Sequence, residues 1–235
     1  MAIASGHTDV GGRDYNEDSF CIEPSLGLYA VSDGMGGYEG GEIASRLVVS
    51  ALVQYFDEAP AEAIDGSLDA TVAELPERLV SGAVRLAHNR ITEHALGSLS
   101  RMGATVAVLW LHERETIIAH VGDSRVYRLR DGVLCPLTTD HVVEEDDVVF
   151  LTRSISGFSD WRPELRREPV APGDTFLLCS DGLTEALSES DIARVLQTYT
   201  PTEAPYILIE MARLAGAADN VTAVVVRVTE PKPAN

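Results

Sequence analysis

Three apolar, strand-like runs in this chain each end in an aspartate. Asp33 and Asp181 lie in Ser-Asp-Gly segments at the ends of two such runs, and Asp123 follows a third. Glycine occupies three of the four positions after Asp33, and it leaves no side chain between the backbone carbonyls and a ligand. Carboxylate and carbonyl oxygens of this kind suit hard divalent cations. Taken alone, however, an Asp-Gly pair is more typical of a plain turn.

Further acidic residues lie near both ends of the chain. Glu17 and Asp18 follow Arg13 near the N-terminus, and Asp219 precedes the last apolar run, residues 223–228. Acids distributed in this way favour a shared site over a series of separate turns. Clustered carboxylates repel one another unless cations are bound, so we expect the metal-free site to be loosened or to carry raised pKa values.

Five segments, in this order, resemble the motifs of the metal-dependent (type 2C) serine/threonine protein phosphatases in their bacterial form. They are residues 13–18, 33–37, 122–125, 180–182 and 219–220. Each motif is weak by itself, but five in the right order are strong, and the likeness extends from about residue 6 to residue 228. The resemblance implies a protein phosphatase that hydrolyses phosphoserine and phosphothreonine monoesters.

In the resembled family, this reaction uses two divalent cations, Mn²⁺ or Mg²⁺, which activate a water and neutralise charge on the phosphoryl oxygens. The residue that matches Asp33 bridges the two ions. Glu17 and the carbonyl of Gly34 complete the ligands of one ion, and Asp181 and Asp219 reach the other. The resemblance therefore implies a metal centre built from these five residues.

Three more residues match functional positions of the family. Asp123 matches a ligand of a third, weaker metal, although it also fits a plain turn. Asp18 matches a position that holds a metal-bound water. Arg13 matches the arginine that grips the substrate phosphate, which a planar guanidinium can do through two oxygens at once. The alternative for Arg13 is an ion pair with Asp14 or Glu17.

One departure from the family concerns the flap, a segment that borders the active site and influences substrate choice. In bacterial members a long flap usually separates an Asp-His pair from a Leu-Thr-Arg segment, whereas here only residues 142–150 lie between His141 and Leu151. His141 matches a position that has no agreed chemical role. We therefore predict a single catalytic domain over residues 1–229 with a shortened flap, followed by a C-terminal tail, residues 230–235.

Charge and cysteine usage narrow the class of protein. Lys and Arg number 18 against 37 Asp and Glu, and the net charge of −19 repels nucleic acid and anionic membranes. No signal segment and no membrane-spanning run is evident, so we expect a cytoplasmic protein. Its three cysteines, Cys21, Cys135 and Cys179, are predicted to be reduced thiols. The resemblance adds phosphorylated proteins as substrates, a cognate serine/threonine kinase and a monomeric state.

Two alternative functions belong to other classes. A calcium-binding regulatory module would concentrate its ligands in one D-x-D-x-D-G loop, which this sequence lacks. A catalytically weak module of the same fold would bind phosphoproteins without hydrolysing them, but all the matched metal ligands are present. Turnover of a phosphopeptide with Mn²⁺ would separate an enzyme from such a module.

The elements that position these residues occur in blocks. Apolar residues at helical spacing predict helices over residues 41–55, 72–97, 188–198 and 202–214. The short links within residues 104–137 predict an antiparallel meander, and residues 138–174 are predicted to be irregular. Strands in blocks predict an α+β fold rather than a doubly wound sheet. The resemblance sharpens this to two antiparallel β-sheets packed face to face, with α-helices on both outer faces.

Overall fold

The computed structural model describes residues 1–36, 40–59, 75–146 and 148–230. Several positions discussed above lie outside this part of the chain. They are Gly37 of the glycine-rich segment, residues 72–74 of the second predicted helix, Asp147 of the shortened flap, and tail residues 231–235.

Five α-helices lie in the described part of the chain. They are α1 (Gly40–Asp57), α2 (Leu75–His94), α3 (Asp181–Ala186), α4 (Glu189–Thr198) and α5 (Ala204–Leu214). Helix α4 begins after Ser188, whose side chain accepts a hydrogen bond from the backbone N–H of Asp191, as expected of an N-cap serine. The sequence pattern predicted α1, α2, α4 and α5, but not the short α3.

Within the described residues, fourteen strands form two large sheets and one separate hairpin. The strands are β1 (Ala2–Asp9), β2 (Asp18–Glu23), β3 (Leu28–Met35), β4 (Gly103–Ala104), β5 (Val106–His112), β6 (Glu115–Val121), β7 (Arg125–Arg130), β8 (Val133–Pro136), β9 (Val142–Glu145), β10 (Val148–Leu151), β11 (Ile155–Ser156), β12 (Glu164–Pro169), β13 (Thr175–Cys179) and β14 (Val221–Val228).

Both large sheets are antiparallel. The five-stranded sheet has the order β1-β14-β13-β7-β8. The seven-stranded sheet has the order β11-β4-β3-β5-β6-β12, and β2 pairs with β3. Strands β9 and β10 pair only with each other among the described strands.

The two sheets face each other across a shared apolar core. Tyr29 and Leu109 from the seven-stranded sheet belong to the same buried cluster as Phe176 and Val224 from the five-stranded sheet. The opposite faces are also buried, under α1 and α2 on one side and under α3, α4 and α5 on the other. Strands buried on both faces are expected to be apolar without alternation, as the central strands are. The predicted α+β sandwich is therefore confirmed.

The two antiparallel hairpins predicted within residues 104–137, β5–β6 and β7–β8, are confirmed, but the prediction that they form one continuous meander is wrong. Strand β6 belongs to the seven-stranded sheet and β7 to the five-stranded sheet, so the chain crosses between the sheets at residues 122–124. Gly122 permits this crossing because its φ is +98° and an added Cβ would lie 2.6 Å from the Thr105 side chain. A short connection can join strands in two facing sheets as readily as it can join two paired strands in a hairpin.

The prediction that residues 138–174 are irregular is also wrong. This region contains β9–β12, and β12 pairs with β6 at the edge of the seven-stranded sheet. The segment predicted to be a shortened flap contains β9 and most of β10, which pair with each other. The charged residues of β12 hide its strand character, because an edge strand with exposed side chains carries little apolar periodicity.

Two simpler expectations concern membranes and cysteines. No helix in the described part of the chain combines the length and the apolar character needed to cross a bilayer. Cys21, Cys135 and Cys179 are free thiols, and Cys21 and Cys179 are buried. The prediction of reduced cysteines is therefore confirmed.

Candidate metal centre

The predicted acids converge at one end of the sandwich. A cavity of about 310 Å³ is lined by Arg13, Glu17, Asp33, Gly34, Met35, Gly36, Thr105, Asp123, Leu151, Asp181, Asp219 and Asn220. Strands from both sheets end at this cavity, so residues from the two ends of the sequence meet there. Of the eight site residues predicted from the sequence, only Asp18 is missing from the cavity wall.

Thr105 holds the strand that carries Asp33. The backbone N–H of Asp33 donates to Thr105 Oγ1 at 3.0 Å, and the carbonyl of Asp33 accepts from the Thr105 N–H at 2.8 Å. Thr105 Oγ1 also lies 2.6 Å from Ser124 Oγ, next to Asp123. Thr105 therefore connects two of the three strand ends, a role that sequence reasoning missed because nothing in the local pattern marks it.

Glu17 and the glycines around it pack closely. The N–H of Gly34 donates to the carbonyl of Glu17 at 3.1 Å. A Cβ on Gly34 would lie 2.0 Å from the Gly41 carbonyl oxygen, and a Cβ on Gly41 would lie 2.5 Å from the carboxyl carbon of Glu17. Any side chain at either glycine would displace Glu17 or the start of α1, so this corner of the cavity requires glycine.

Asn220 ties the N-terminal loop to β14. Its Oδ1 accepts from the Glu17 N–H at 2.8 Å, and its Nδ2 donates to the carbonyls of Val10 and Tyr15 at 2.8 and 2.9 Å. The Asp219-Asn220 motif thus contributes one acid to the cavity and one buried amide that fixes Glu17. Sequence reasoning gave no separate role to Asn220.

Asp18 lies beneath the cavity wall rather than in it. Its Oδ2 accepts hydrogen bonds from Ser180 Oγ and Thr222 Oγ1, both at 2.7 Å. Its Oδ1 is buried and has no hydrogen-bond partner among the described residues. Burial raises the pKa of Asp18 to about 6, although the two hydroxyl donors act in the opposite direction.

The carboxyl groups of the cavity destabilise one another's charged forms. Burial, followed by repulsion from Asp18, Asp181, Asp123 and Asp219, raises the pKa of Asp33 well above its usual value. Burial raises the pKa of Asp181 to about 6, and burial with repulsion from Asp181 raises that of Asp123 to about 7. Burial also raises the pKa of Glu17. These directions agree with the effect expected when several acids share one site.

The donor set fits hard divalent cations. The cavity offers carboxylate and backbone oxygens, and no histidine or cysteine lines it in the described part of the chain. Asp181 Oδ1, like Asp18 Oδ1, is buried without a hydrogen-bond partner among the described residues. A buried carboxylate oxygen is costly unless a donor or a cation satisfies it. This chemistry suits Mg²⁺ or Mn²⁺ better than a soft metal.

Arg13 lies at the mouth of the cavity and pairs with Asp219. Its guanidinium Nη2 lies 2.6 Å from Asp219 Oδ2, and the side chains are 58% and 28% exposed. The partner is therefore neither Asp14 nor Glu17, the two residues considered from the sequence. The arginine is tied to one of the predicted metal ligands while most of its side chain remains in solvent.

A second group of potential ligands, His120, His141 and Glu164, lies outside the cavity. The Gly122 N–H donates to His141 Nδ1 at 3.1 Å, so the neutral ring carries its proton on Nε2. That Nε2 lies 3.5 Å from Glu164 Oε2 and 3.4 Å from the Arg153 guanidinium. Burial lowers the pKa of His141, and its ring stacks on His120 at 4.5 Å. This arrangement braces the turn before Asp123 and leaves no free lone pair on His141 for a metal.

The comparisons with known proteins agree with this geometry. The family model described as "Protein phosphatase 2C" matches residues 7–217. The serine/threonine protein phosphatase PstP of Mycobacterium tuberculosis is 33% identical over 236 residues, which cover 93% of this chain and 43% of that protein. The serine/threonine phosphatase stp of Listeria monocytogenes is 29% identical over 248 residues, covering 95% of this chain and 94% of that protein.

A solved structure extends the likeness to three dimensions. The catalytic domain of PstP, crystallised in complex with 2 manganese ions, superposes with a TM-score of 0.83 at 31% identity. The match covers 97% of this chain and 99% of that domain. This chain therefore spans less than half the length of full PstP but nearly all of its catalytic domain. From the family model, the relatives and the shared fold, the chain belongs to the protein phosphatase 2C family of metal-dependent serine/threonine phosphatases.

Proposed function

We propose that this chain hydrolyses phosphoserine and phosphothreonine monoesters in proteins at the cavity described above. The observation that carries the proposal is the convergence of Glu17, Asp33, Asp181 and Asp219 from distant parts of the sequence, with Arg13 at the mouth. Acids with a purely structural role would be dispersed or paired with bases, whereas among the described residues only Asp219 of these four forms an ion pair, with Arg13. Burial, together with repulsion from neighbouring carboxylates, raises the pKa values of Asp33 and Asp181, a cost that a binding site for cations explains.

Five residues are proposed to hold two Mn²⁺ or Mg²⁺ ions. Asp33 would serve both ions, Glu17 and the Gly34 carbonyl would serve one of them, and Asp181 and Asp219 would serve the other. When bound, such ions acidify a water to make the nucleophile and offset the charge of the phosphoryl group. Asp123, which lines the same cavity beside Asp181, is proposed to hold a third ion.

The remaining residues of the site are proposed to bind the substrate phosphate, to orient a water and to support the metal ligands. Arg13 is proposed to hold two phosphate oxygens, for which its guanidinium must turn away from Asp219. Thr105 and Asn220 fix the backbones of Asp33 and Glu17, and rigid ligand positions reduce the reorganisation needed during reaction. Asp18 keeps Ser180 and Thr222 in place beneath the cavity and is proposed to orient a water bound at the centre.

The wider setting is proposed from charge and family. A net charge of −19 disfavours nucleic acid and favours phosphoproteins with basic flanks. We propose a cytoplasmic monomer that opposes a cognate serine/threonine kinase. Residues 1–229 are proposed as one catalytic domain with the flap shortened to residues 142–150.

Turnover with matched peptides tests the function. Phosphothreonine, phosphoserine and phosphotyrosine peptides of the same sequence are incubated with the chain in Mn²⁺, in Mg²⁺ and in excess EDTA, and released phosphate is measured. We expect hydrolysis of the first two with either metal and none in EDTA. Tight binding of the phosphothreonine peptide without release of phosphate in either metal would instead establish the alternative, a phosphoprotein-binding module of the same fold.

A further inference from the structure

A second cavity, of about 670 Å³, lies on the outer side of the seven-stranded sheet. It is a groove between α2 and the segment that leads into β12, and the end of α1 contributes to its floor. Its lining includes Tyr55, Arg78, Arg85, Trp161, Pro163 and Leu165. It shares no lining residue with the metal cavity, so the proposed hydrolysis makes no use of it.

The apolar floor of the groove is held in shape by two contacts. Trp161 stacks on His88 of α2 with ring centroids 4.7 Å apart and planes 15° from parallel. Burial lowers the pKa of His88, which favours the uncharged ring in this stack. The Tyr55 ring packs directly against Gly82, because a Cβ at position 82 would lie 2.2 Å from Tyr55 Oη. A fixed aromatic floor of this kind is typical of a binding surface.

The rim of the groove carries two arginines whose charges are not neutralised locally. Arg78 and Arg85 are exposed, and neither forms an ion pair or hydrogen bond with any residue in the described part of the chain. They are seven positions apart on α2, hence on one face and about 10 Å apart along the helix. By contrast, Arg125, Arg128 and Arg130 all pair with carboxylates.

The other charged side chains of the groove each lie near an opposite charge. Glu77, which also lines it, is 3.6 Å from Arg167, although that arginine pairs more closely with Glu115 at 2.6 Å. Arg162 lies 2.9 Å from Asp160. The uncompensated charge of the groove is therefore positive. In a chain with 37 acids against 18 bases, two neighbouring arginines over an aromatic floor form a local positive patch that suits an anionic ligand.

We propose that this groove docks an extended, acidic segment of a partner protein. Carboxylates form strong, often bidentate bonds with guanidinium groups, and an apolar side chain of the segment would cover Trp161 and Leu165. In an extended peptide, acids two and four positions apart are separated by about 7 and 13 Å, which brackets the spacing of Arg78 and Arg85. This interaction goes beyond the proposed hydrolysis and needs no metal.

The groove is connected to the metal cavity through one stretch of chain. Leu151 lines the metal cavity, Ile155 and Ser156 pair with β4, and Trp161 lines the groove. A partner docked in the groove thus lies against the same segment that borders the metal cavity. Docking in the groove would hold a partner protein on this side of the enzyme through contacts that do not involve a phosphate group.

Peptide binding tests the proposal directly. The probe is a fluorescein-labelled octapeptide in which Glu alternates with Ser around a central Leu, and the control peptide carries Gln at every Glu position. Fluorescence anisotropy is measured for the wild type, for Arg78→Glu/Arg85→Glu, and for Arg194→Glu/Arg213→Glu. The last variant changes the net charge equally, but on α4 and α5 on the opposite layer.

We expect the Glu peptide to bind the wild type, the Gln peptide not to bind, and the groove variant to lose about tenfold or more in affinity. The α4/α5 variant should stay within about twofold, as expected of a distant site. The milder double variant Arg78→Gln/Arg85→Gln should also lose affinity for the Glu peptide. The far-UV circular dichroism spectrum and the midpoint of urea unfolding should be unchanged in all variants, which shows that they fold.

Three results would overturn the proposal. They are equal binding of the Glu and Gln peptides, equal affinity loss in both charge-reversal variants, and displacement of the peptide by free glutamate or inorganic phosphate at the same concentration of anionic groups. The last result would make the groove a site for small anions rather than for a peptide. Because binding is measured without turnover, failure of the proposed hydrolysis would leave this test intact.

Discussion

Arg13 and Asp219 form an ion pair of 2.6 Å across the mouth of the metal cavity, joining the first loop of the chain to the segment that leads into β14. Asp219 is a proposed metal ligand and Arg13 the proposed phosphate-binding residue, so the pair links the two functions of the site. Binding of a cation at Asp219 would free Arg13 to turn toward a phosphate. The ion pair therefore lies where the bound metal and the substrate phosphate are expected to meet.

Replacing Arg13 should weaken substrate use more than metal binding. We expect Arg13→Ala to lower kcat/KM for a phosphopeptide by about 2 kcal/mol, the scale of a lost charge-assisted pair. The Mn²⁺ affinity, measured by calorimetry, should not fall, because Asp219 loses a competing partner. Arg213→Ala, which breaks an exposed pair with Glu210, is the control. A collapse of Mn²⁺ affinity with unchanged kcat/KM of the loaded enzyme would make Arg13 a structural residue.

Removing a central carboxylate should nearly abolish turnover. Asp33→Asn and Asp181→Asn keep the side-chain volume but remove a negative oxygen ligand, so each should lower kcat by about 10³-fold, and excess EDTA should do the same to the wild type. Asp131→Asn is the matched control, since Asp131 lies in the β7–β8 turn with a φ of +52°, which Asn tolerates. Full activity in either site variant would contradict the assigned ligands.

Metal binding should weaken as the pH falls from about 8 to about 5.5. The pKa values of Asp181 and Asp123 are raised to about 6 and about 7, so these carboxyls take up protons within this window and lose their ability to bind cations. Calorimetric titration with Mn²⁺ at both pH values measures the effect, together with the protons released on binding. An affinity independent of pH would show that these acids are not ligands.

The stability of the metal-free chain should change in the opposite direction. Because the pKa of Asp123 is raised on folding, its stabilising contribution is complete below its unfolded value of 3.8 and is lost as the pH rises through about 7. In EDTA, the free energy of unfolding should therefore be lower at pH 8 than at pH 5.5. Asp123→Asn should recover about 2 kcal/mol at pH 8 in urea unfolding. No gain at pH 8 would mean that Asp123 is not strained by its neighbours.

His141 should act through the turn that it braces. The ring Nδ1 of His141 accepts a hydrogen bond from the backbone N–H of Gly122 at 3.1 Å. The backbone N–H of His141 donates to the carbonyl of Gly122 at 3.0 Å. His141→Ala leaves a buried N–H without an acceptor and should cost about 1–3 kcal/mol in urea unfolding. The exposed His94→Ala is the control. We also expect the Mn²⁺ concentration for half-maximal activity to rise, which a loss of packing far from Asp123 would not cause.

The β9–β10 hairpin should influence the choice of substrate. One of its faces carries Val143, Val148 and Phe150, which are 41%, 50% and 50% exposed, beside an acidic run of residues 144–147. Acids in this run attract basic residues over a reach of about 8 Å at physiological salt. The wild type should prefer phosphothreonine peptides with Arg or Lys flanks over those with Asp or Glu flanks. Changing residues 144–147 to Ser should shrink that preference; equal ratios in both proteins would leave the hairpin a surface loop.

The amino-acid sequence by itself determined the fold class, the main helices and the set of acids proposed to bind metal. Helical spacing in α1, α2, α4 and α5 and apolar runs in the central strands arise from neighbours along the chain, so they are legible without a structure. The acids were recognisable because five ordered motifs restrict the choice of family. The short α3 and the strands of residues 138–174 were not predicted, because polar or short elements show little hydrophobic periodicity.

The tertiary structure decided which distant residues meet. Nothing local indicates that Arg13 pairs with Asp219, that Thr105 holds Asp33, or that the chain changes sheets after β6. The groove beside Arg78 and Arg85 likewise exists only because the segment before β12 packs against α2. Such contacts depend on how two sheets and two helical layers pack in three dimensions, and packing selects partners across the chain that no spacing in the sequence specifies.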